Sequence, residues 1–114
     1  MHTGRVDGVN RKTLARLRRG EIAADEKIDL HGFTSRAARR ELVKQLEAGR
    51  GRGARCVLVI HGLGHHSEMG PVLKNALPDW LQRSPLAEIV TAFCTAPAKL
   101  GGSGALLVLL RRAR

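Results

Sequence analysis

Aromatic residues are nearly missing: Phe33, Trp80 and Phe93 are all that 114 residues carry, and tyrosine is absent. A protein that reads single-stranded bases in sequence stacks them on a row of rings, so this scarcity argues against a dedicated sequence reader. Cysteine is scarce too. Cys56 and Cys94 each sit inside an apolar run, without the spacing of metal ligands. They are expected as buried, reduced thiols, which suits a cytoplasmic protein. No apolar run is long enough to span a bilayer, and "MHTGRVDGVNRKTL" holds no hydrophobic leader core, so no membrane partner is expected. There is no Gly-Lys-Ser/Thr loop for a triphosphate. Ser35, Ser67, Ser84 and Ser103 stand in no nucleophile-elbow context, which removes serine hydrolases.

Acidic residues are the remaining shortage. Ten Asp/Glu face twenty Lys/Arg, a net charge of +10, and such an excess favours a polyanionic partner through counterion release and steering. Half of it is concentrated in residues 34–55. Arg36, Arg39, Arg40, Lys44, Arg50, Arg52 and Arg55 there meet only Glu41 and Glu47, the mark of a basic surface.

Along the chain, residues 1–9 are polar and read as loose. From Asn10, "RKTLARLRR" reads as a short basic helix ended by Gly20, with Leu14 and Leu17 as its apolar side. A strand over 27–31 precedes the clearest helix, 34–49. Thr34 caps that helix, Ala38, Leu42 and Leu46 recur every four residues, and Gly49 stops it. A strand over 56–61 follows, then a helix opened by Pro71 and expected to kink or split at Pro78. Strands over 88–94 and 105–112 close the chain. The whole is an α/β order, strand–helix–strand–helix–strand–strand, behind a basic arm.

Two apolar runs end alike: "KIDLHGF" and "CVLVIHGLG" both finish on His-Gly. Strand 27–31, helix 34–49 and strand 56–61 form a βαβ unit, whose strands run parallel and end at one sheet edge. Ligands of open α/β sheets bind at that edge. Alternation sets Ile28 and Leu30 against Asp29 and His31, and Leu58 and Ile60 against His61. With helices over the leucine faces, Asp29, His31 and His61 converge on the open side.

Gly32, Gly62 and Gly64 allow close approach of a phosphate, and "GGSG", with Gly101, Gly102 and Ser103, forms a second candidate nest whose bland reading is a plain turn. His31 and His61 are the pair suited to exchange protons near neutral pH, with Asp29 to orient one ring. Cleavage of RNA by its own 2′-hydroxyl needs one base, one acid and donors for the phosphorane. Two-metal hydrolysis needs several carboxylates, and only Asp29, with Glu68 a distant second, is placed for it. No cofactor is required on this reading, although a divalent metal stays open. Zinc held by His61, His65 and His66 is the weaker alternative. His65 is assigned instead to phosphate or base contact, beside Arg36, Arg39 and Arg40.

"IDLHGFTSRAARREL", "CVLVIHGLG" and "GGSGALLVLLRR", in this order, resemble the Smr (small MutS-related) domain, over residues 10 to 112. The likeness implies a two-layer α/β sandwich with a mixed four-stranded sheet, similar to the C-terminal domain of translation initiation factor three. An arm over 1–26 would precede an Smr domain over 27–114. It implies nucleic-acid cleavage: DNA nicking in some relatives, and in others RNA cutting, including messenger RNA on stalled ribosomes. The family's Asp-x-His motif falls on Asp29 and His31, and its His-Gly-x-Gly motif on His61, Gly62 and Gly64. Leu100 and Leu107 depart from the histidine and tyrosine of many relatives. The expectation is an endonuclease favouring RNA over DNA, with the ribosome as a candidate partner. The alternatives are DNA nicking, a nucleic-acid-binding module that does not cut, and a protein-interaction role for the 10–19 arm.

Overall fold

The computed structural model describes residues 3–5, 11–62 and 70–112. The elements are β1 (Thr3–Arg5), α1 (Arg11–Arg18), β2 (Glu26–Asp29), α2 (Ser35–Gly51), β3 (Cys56–Ile60), α3 (Gly70–Leu81), β4 (Val90–Thr95) and β5 (Ala105–Leu110), with three short 3-10 turns after α3. No described helix is long and apolar enough to cross a membrane.

Thr34 caps α2 as its sequence position demands: its backbone is extended and its Oγ1 accepts the Ala37 N–H at 3.3 Å. Ala38, Leu42 and Leu46 are all fully buried. The helix runs two residues past Gly49, the expected stop. A Cβ on Gly49 would lie 3.3 Å from the Glu26 carboxylate, so glycine there lets α2 lie close against β2.

The sheet order is β1-β4-β5-β3-β2. β2 and β3 are parallel, and β5 is antiparallel to both β3 and β4, which gives the expected mixed sheet of four strands. β1 was not expected. Thr3–Arg5 adds a fifth, antiparallel strand on the outer edge of β4, in a segment whose polar sequence carries no strand signal because the pairing is made by backbone groups.

α2 and α3 cover one face of the sheet, burying Ile28, Leu30, Val57, Val59, Phe93 and Leu106 among others. α1 lies across the other face, where Leu17 and Leu14 meet Cys56, Leu58, Cys94, Leu107 and Leu109. The two-layer frame therefore gains a short third layer. Leu17, wholly buried, contributes about 2 kcal/mol to that docking by removal of its side chain from water. Pro78 does not split α3, which continues to Leu81. Only three helical residues follow the proline, so one lost backbone bond is offset by Leu77 and Leu81, both completely buried.

Candidate functional site

β2 and β3 pair in register, Asp29 opposite Ile60, and the Leu30 N–H still donates to the Ile60 carbonyl at 2.7 Å. Past that bond β2 turns sharply. The Phe33 N–H donates to the Leu30 carbonyl at 3.2 Å, closing a four-residue turn with Gly32 at φ +82° in its third position. A side chain there would be strained. The turn folds His31 back on Asp29: ring Nδ1 lies 2.6 Å from Asp29 Oδ1, and the His31 backbone N–H donates to the same oxygen at 3.1 Å. An ionised carboxylate can only accept, so Nδ1 carries the proton and Nε2 faces away from the pair. Both side chains are open to solvent, His31 at 72% and Asp29 at 47%. Partial burial pushes the Asp29 carboxyl up. The hydrogen bonds from the His31 ring and backbone, with the charges of His31 and Lys27, outweigh burial and hold it below the usual carboxylate value.

His61 does not join them on the open side. Its ring is 1% exposed, and Nδ1 lies 2.7 Å from the Gly62 carbonyl oxygen. The expected convergence fails because the leucine faces of the two strands are opposite faces of the sheet. Ile28 and Leu30 pack under α2 and α3, whereas Leu58 and Ile60 pack toward α1. β3 is a central strand, buried on both sides, so leucine marks no particular layer on it. Asp29 thus shares a face with Ile60, and His61 takes the other. What reaches the dyad is the next residue: a Cβ on Gly62 would stand 3.6 Å from the His31 Cβ.

The glycines divide similarly. The backbone N–H groups of His61 and Gly62 both donate to the Gly104 carbonyl at 3.0 Å, so the Gly62 donor is not free for phosphate. Gly101 and Gly102 adopt φ of +119° and +54°. Their N–H groups bond to the carbonyls of Ala98 and Pro97, and that of Gly104 to Gly101. The N–H groups of Gly101, Gly102 and Gly104 are therefore engaged at the "GGSG" turn, Ser103 is exposed on it, and the Gly104 carbonyl faces the His61 turn. Gly32, by contrast, has nothing within 4 Å of where a Cβ would stand. Gly64 and His65 lie outside the described residues, as does His66 of the zinc alternative. Among the described residues no three His, Cys, Asp or Glu side chains gather as metal ligands would. Burial pushes the Cys56 thiol up to about 12 and the Cys94 thiol up to about 11, so both are inert free thiols.

α2 opens directly beside the dyad. Arg36, Arg39, Arg40, Val43, Lys44 and Glu47 line a shallow groove of about 690 Å³ along its outer face, closed on the far side by Pro85. None of these four cations forms an ion pair with a described residue. The later part of the basic stretch behaves differently. Arg52 makes two bonds to the Glu26 carboxylate, Arg50 donates to the carbonyls of Arg111 and Arg112, and Arg55 Nε donates to the Leu110 carbonyl. The single surface expected over 34–55 is thus a free half beside the dyad and a bonded half at the opposite pole. Sequence reasoning also missed Asp25, whose Oδ2 accepts the N–H groups of Arg55 and Cys56 at 2.7 and 3.0 Å. Gly104, the last residue of the "GGSG" nest read from sequence, meets the His61 turn through its carbonyl oxygen and not through its N–H.

An Asp-x-His pair at the tip of one strand, a His-Gly turn at the tip of its parallel neighbour and a Gly-rich loop meeting that turn form an α/β plan that other proteins share. Residues 28–111 match the Smr domain family model, and the chain belongs to that family. Among curated relatives it is 41% identical over 103 residues to the ribosome rescue factor SmrB of Photobacterium profundum, covering 90% of this chain and 54% of that one. It is 40% identical over 104 residues to SmrB of Vibrio vulnificus, covering 91% and 54%. The chain spans about half the length of these relatives. Among solved structures it resembles YdaL, a stand-alone small MutS-related protein from Escherichia coli, with a TM-score of 0.74 and 29% identity over 96% of this chain and 82% of that one. The Smr domain of Thermus thermophilus MutS2 is similar with a TM-score of 0.65 and 31% identity, over 75% and 98%.

Proposed function

We propose that this protein is an RNA endonuclease that uses the Asp29–His31 pair for acid–base chemistry and acts on RNA at the ribosome. The observation that carries the reading is the 2.6 Å contact of Asp29 with His31 Nδ1, which fixes the tautomer and leaves Nε2 as a solvent-facing base. Nε2 takes the proton of a ribose 2′-hydroxyl, and O2′ attacks the adjacent phosphorus. The P–O5′ bond breaks with its electron pair on O5′, which takes a proton from solvent at this open site. The products are a 2′,3′-cyclic phosphate and a 5′-hydroxyl. Arg36, Arg39 and Arg40, which pair with no described residue and stand on the first turns of the helix that follows the dyad, hold the flanking phosphates. The reaction in this form requires no cofactor.

His61, proposed from sequence as the second proton-transfer group, is buried. We assign it to positioning: its turn carries Gly62 against His31. The ribosomal setting is supported by the names of the SmrB relatives and by the net charge of +10. A ribosomal role puts the protein in the cytoplasm.

The test is cleavage of end-labelled single-stranded RNA and matched DNA, free and as messenger on stalled ribosomes, with chelator or magnesium. RNA cut in chelator, ending in a cyclic phosphate and lost in H31A, is the expected result. Cutting of DNA alone, and only with metal, would replace this mechanism with DNA nicking. Binding without cutting on every substrate would leave a binding module.

A further inference from the structure

We propose that Phe33 is a stacking platform for one unpaired base next to the scissile phosphate, so that the site grips a base as well as a backbone. The inference rests on the RNA reading of the Asp29–His31 site. Of the three aromatic residues, Phe93 is buried and Trp80 packs partly buried against the core, whereas Phe33 is 37% exposed. It is two residues from His31, on the turn closed by its own N–H to Leu30. Beyond Thr34, α2 begins at Ser35, and Arg36, the next residue on it, makes no ion pair with a described residue.

A structural role alone does not account for a ring left more than a third exposed at this place. Phe33 immediately precedes the cap of α2, where an apolar residue packs onto the fourth helical residue. That residue is Ala38, whose single methyl is already buried in the core, so it can cover little of a phenyl face. A leucine would serve the packing as well. What a ring adds is a flat face that any base can stack on, worth about a tenfold change in affinity per base. With one such ring among the described residues, the site would hold a single base without reading a sequence. No described residue lies within 4 Å of where a Gly32 Cβ would stand, which leaves room among them for the sugar between that base and His31.

The test pairs a protein change with a substrate change. Wild type, F33L and F33W are titrated by anisotropy with short single-stranded RNAs, one intact and others with a baseless sugar placed at successive positions. The same RNAs are then used in cleavage assays. The expected result is that F33L binds intact RNA about tenfold more weakly while F33W does not. At one baseless position wild type should fall to the F33L level, and F33L should lose nothing further. Equal affinities of all three proteins for intact RNA would overturn the proposal. So would losses from F33L and from every baseless position that simply add. Melting temperature checks that F33L keeps its fold. Because affinity is measured apart from cleavage, failure of the nuclease reading is seen as intact RNA that stays uncut, whatever Phe33 does.

Discussion

The two ends of the β2–β3 pair use the same residue types to opposite effect. At the carboxyl end, the side chains of Asp29 and His31 bond, among the described residues, only within the pair, and Arg36, Arg39, Arg40 and Lys44 make no ion pair with a described residue. At the amino end every cation of the basic stretch is engaged: Arg50, Arg52 and Arg55 tie α2 and β3 to the exit of β5 and to Glu26. Arg111 adds a bond from its Nε to the Glu88 carbonyl. Charge that has already been given to carbonyls and carboxylates fastens strand ends. Charge left over is available to a polyanion. A sequence count treats the two alike, and only the fold separates them.

The sharpest way to break this contrast is to remove His31. H31A should lower RNA cleavage by a factor of about 10² to 10⁴ while melting as wild type does, since the ring is exposed. D29N should follow it, and a large loss of stability in either variant would show the dyad to be structural. Next in size, joint replacement of Arg36, Arg39 and Arg40 by alanine should weaken RNA binding. It should flatten the salt dependence of log affinity by about 2 for three lost contacts with a single strand. R50A should do the reverse, lowering the melting temperature with an unchanged salt slope. If R50A and the triple variant act alike on RNA, the division of the poles fails.

The smallest effect concerns Asp25, at the bonded pole. Hydrogen bonds from the backbone N–H groups of Arg55 and Cys56 hold its carboxyl below the ordinary value of 3.8. A depressed folded value means that its stabilisation is complete above pH 3.8 and is lost as pH falls through the lower folded value. D25N should therefore cost about 1 kcal/mol at neutral pH, given the exposure of the group. The gap to wild type should close in strong acid, as read by urea titration at several pH values.

Much of this was legible before any coordinates. The βαβ unit, the cap at Thr34, the apolar stripe of α2 and the tip of β2 follow from local rules of periodicity and capping. Asp29 and His31 meet because they are two residues apart and the glycine turn after the strand folds the second back on the first, a relation that the local sequence contains. What failed depended on contacts distant in sequence. The burial of His61 follows from which face of β3 lies under which helix. The donors of Gly62 are occupied because Gly104, forty-two residues later, lies within reach. β1 pairs with β4 in backbone register, for which side-chain patterning gives no signal.

β2 is the outermost strand of the sheet, and the dyad stands at its tip. An enzyme with its working group in a deep cleft must thread its substrate or wait for a free end. A rim has no walls. On the nuclease reading proposed above, a polymer lying across some far larger particle is approached from the side, at any point along its length, by a site that touches only the few nucleotides it severs.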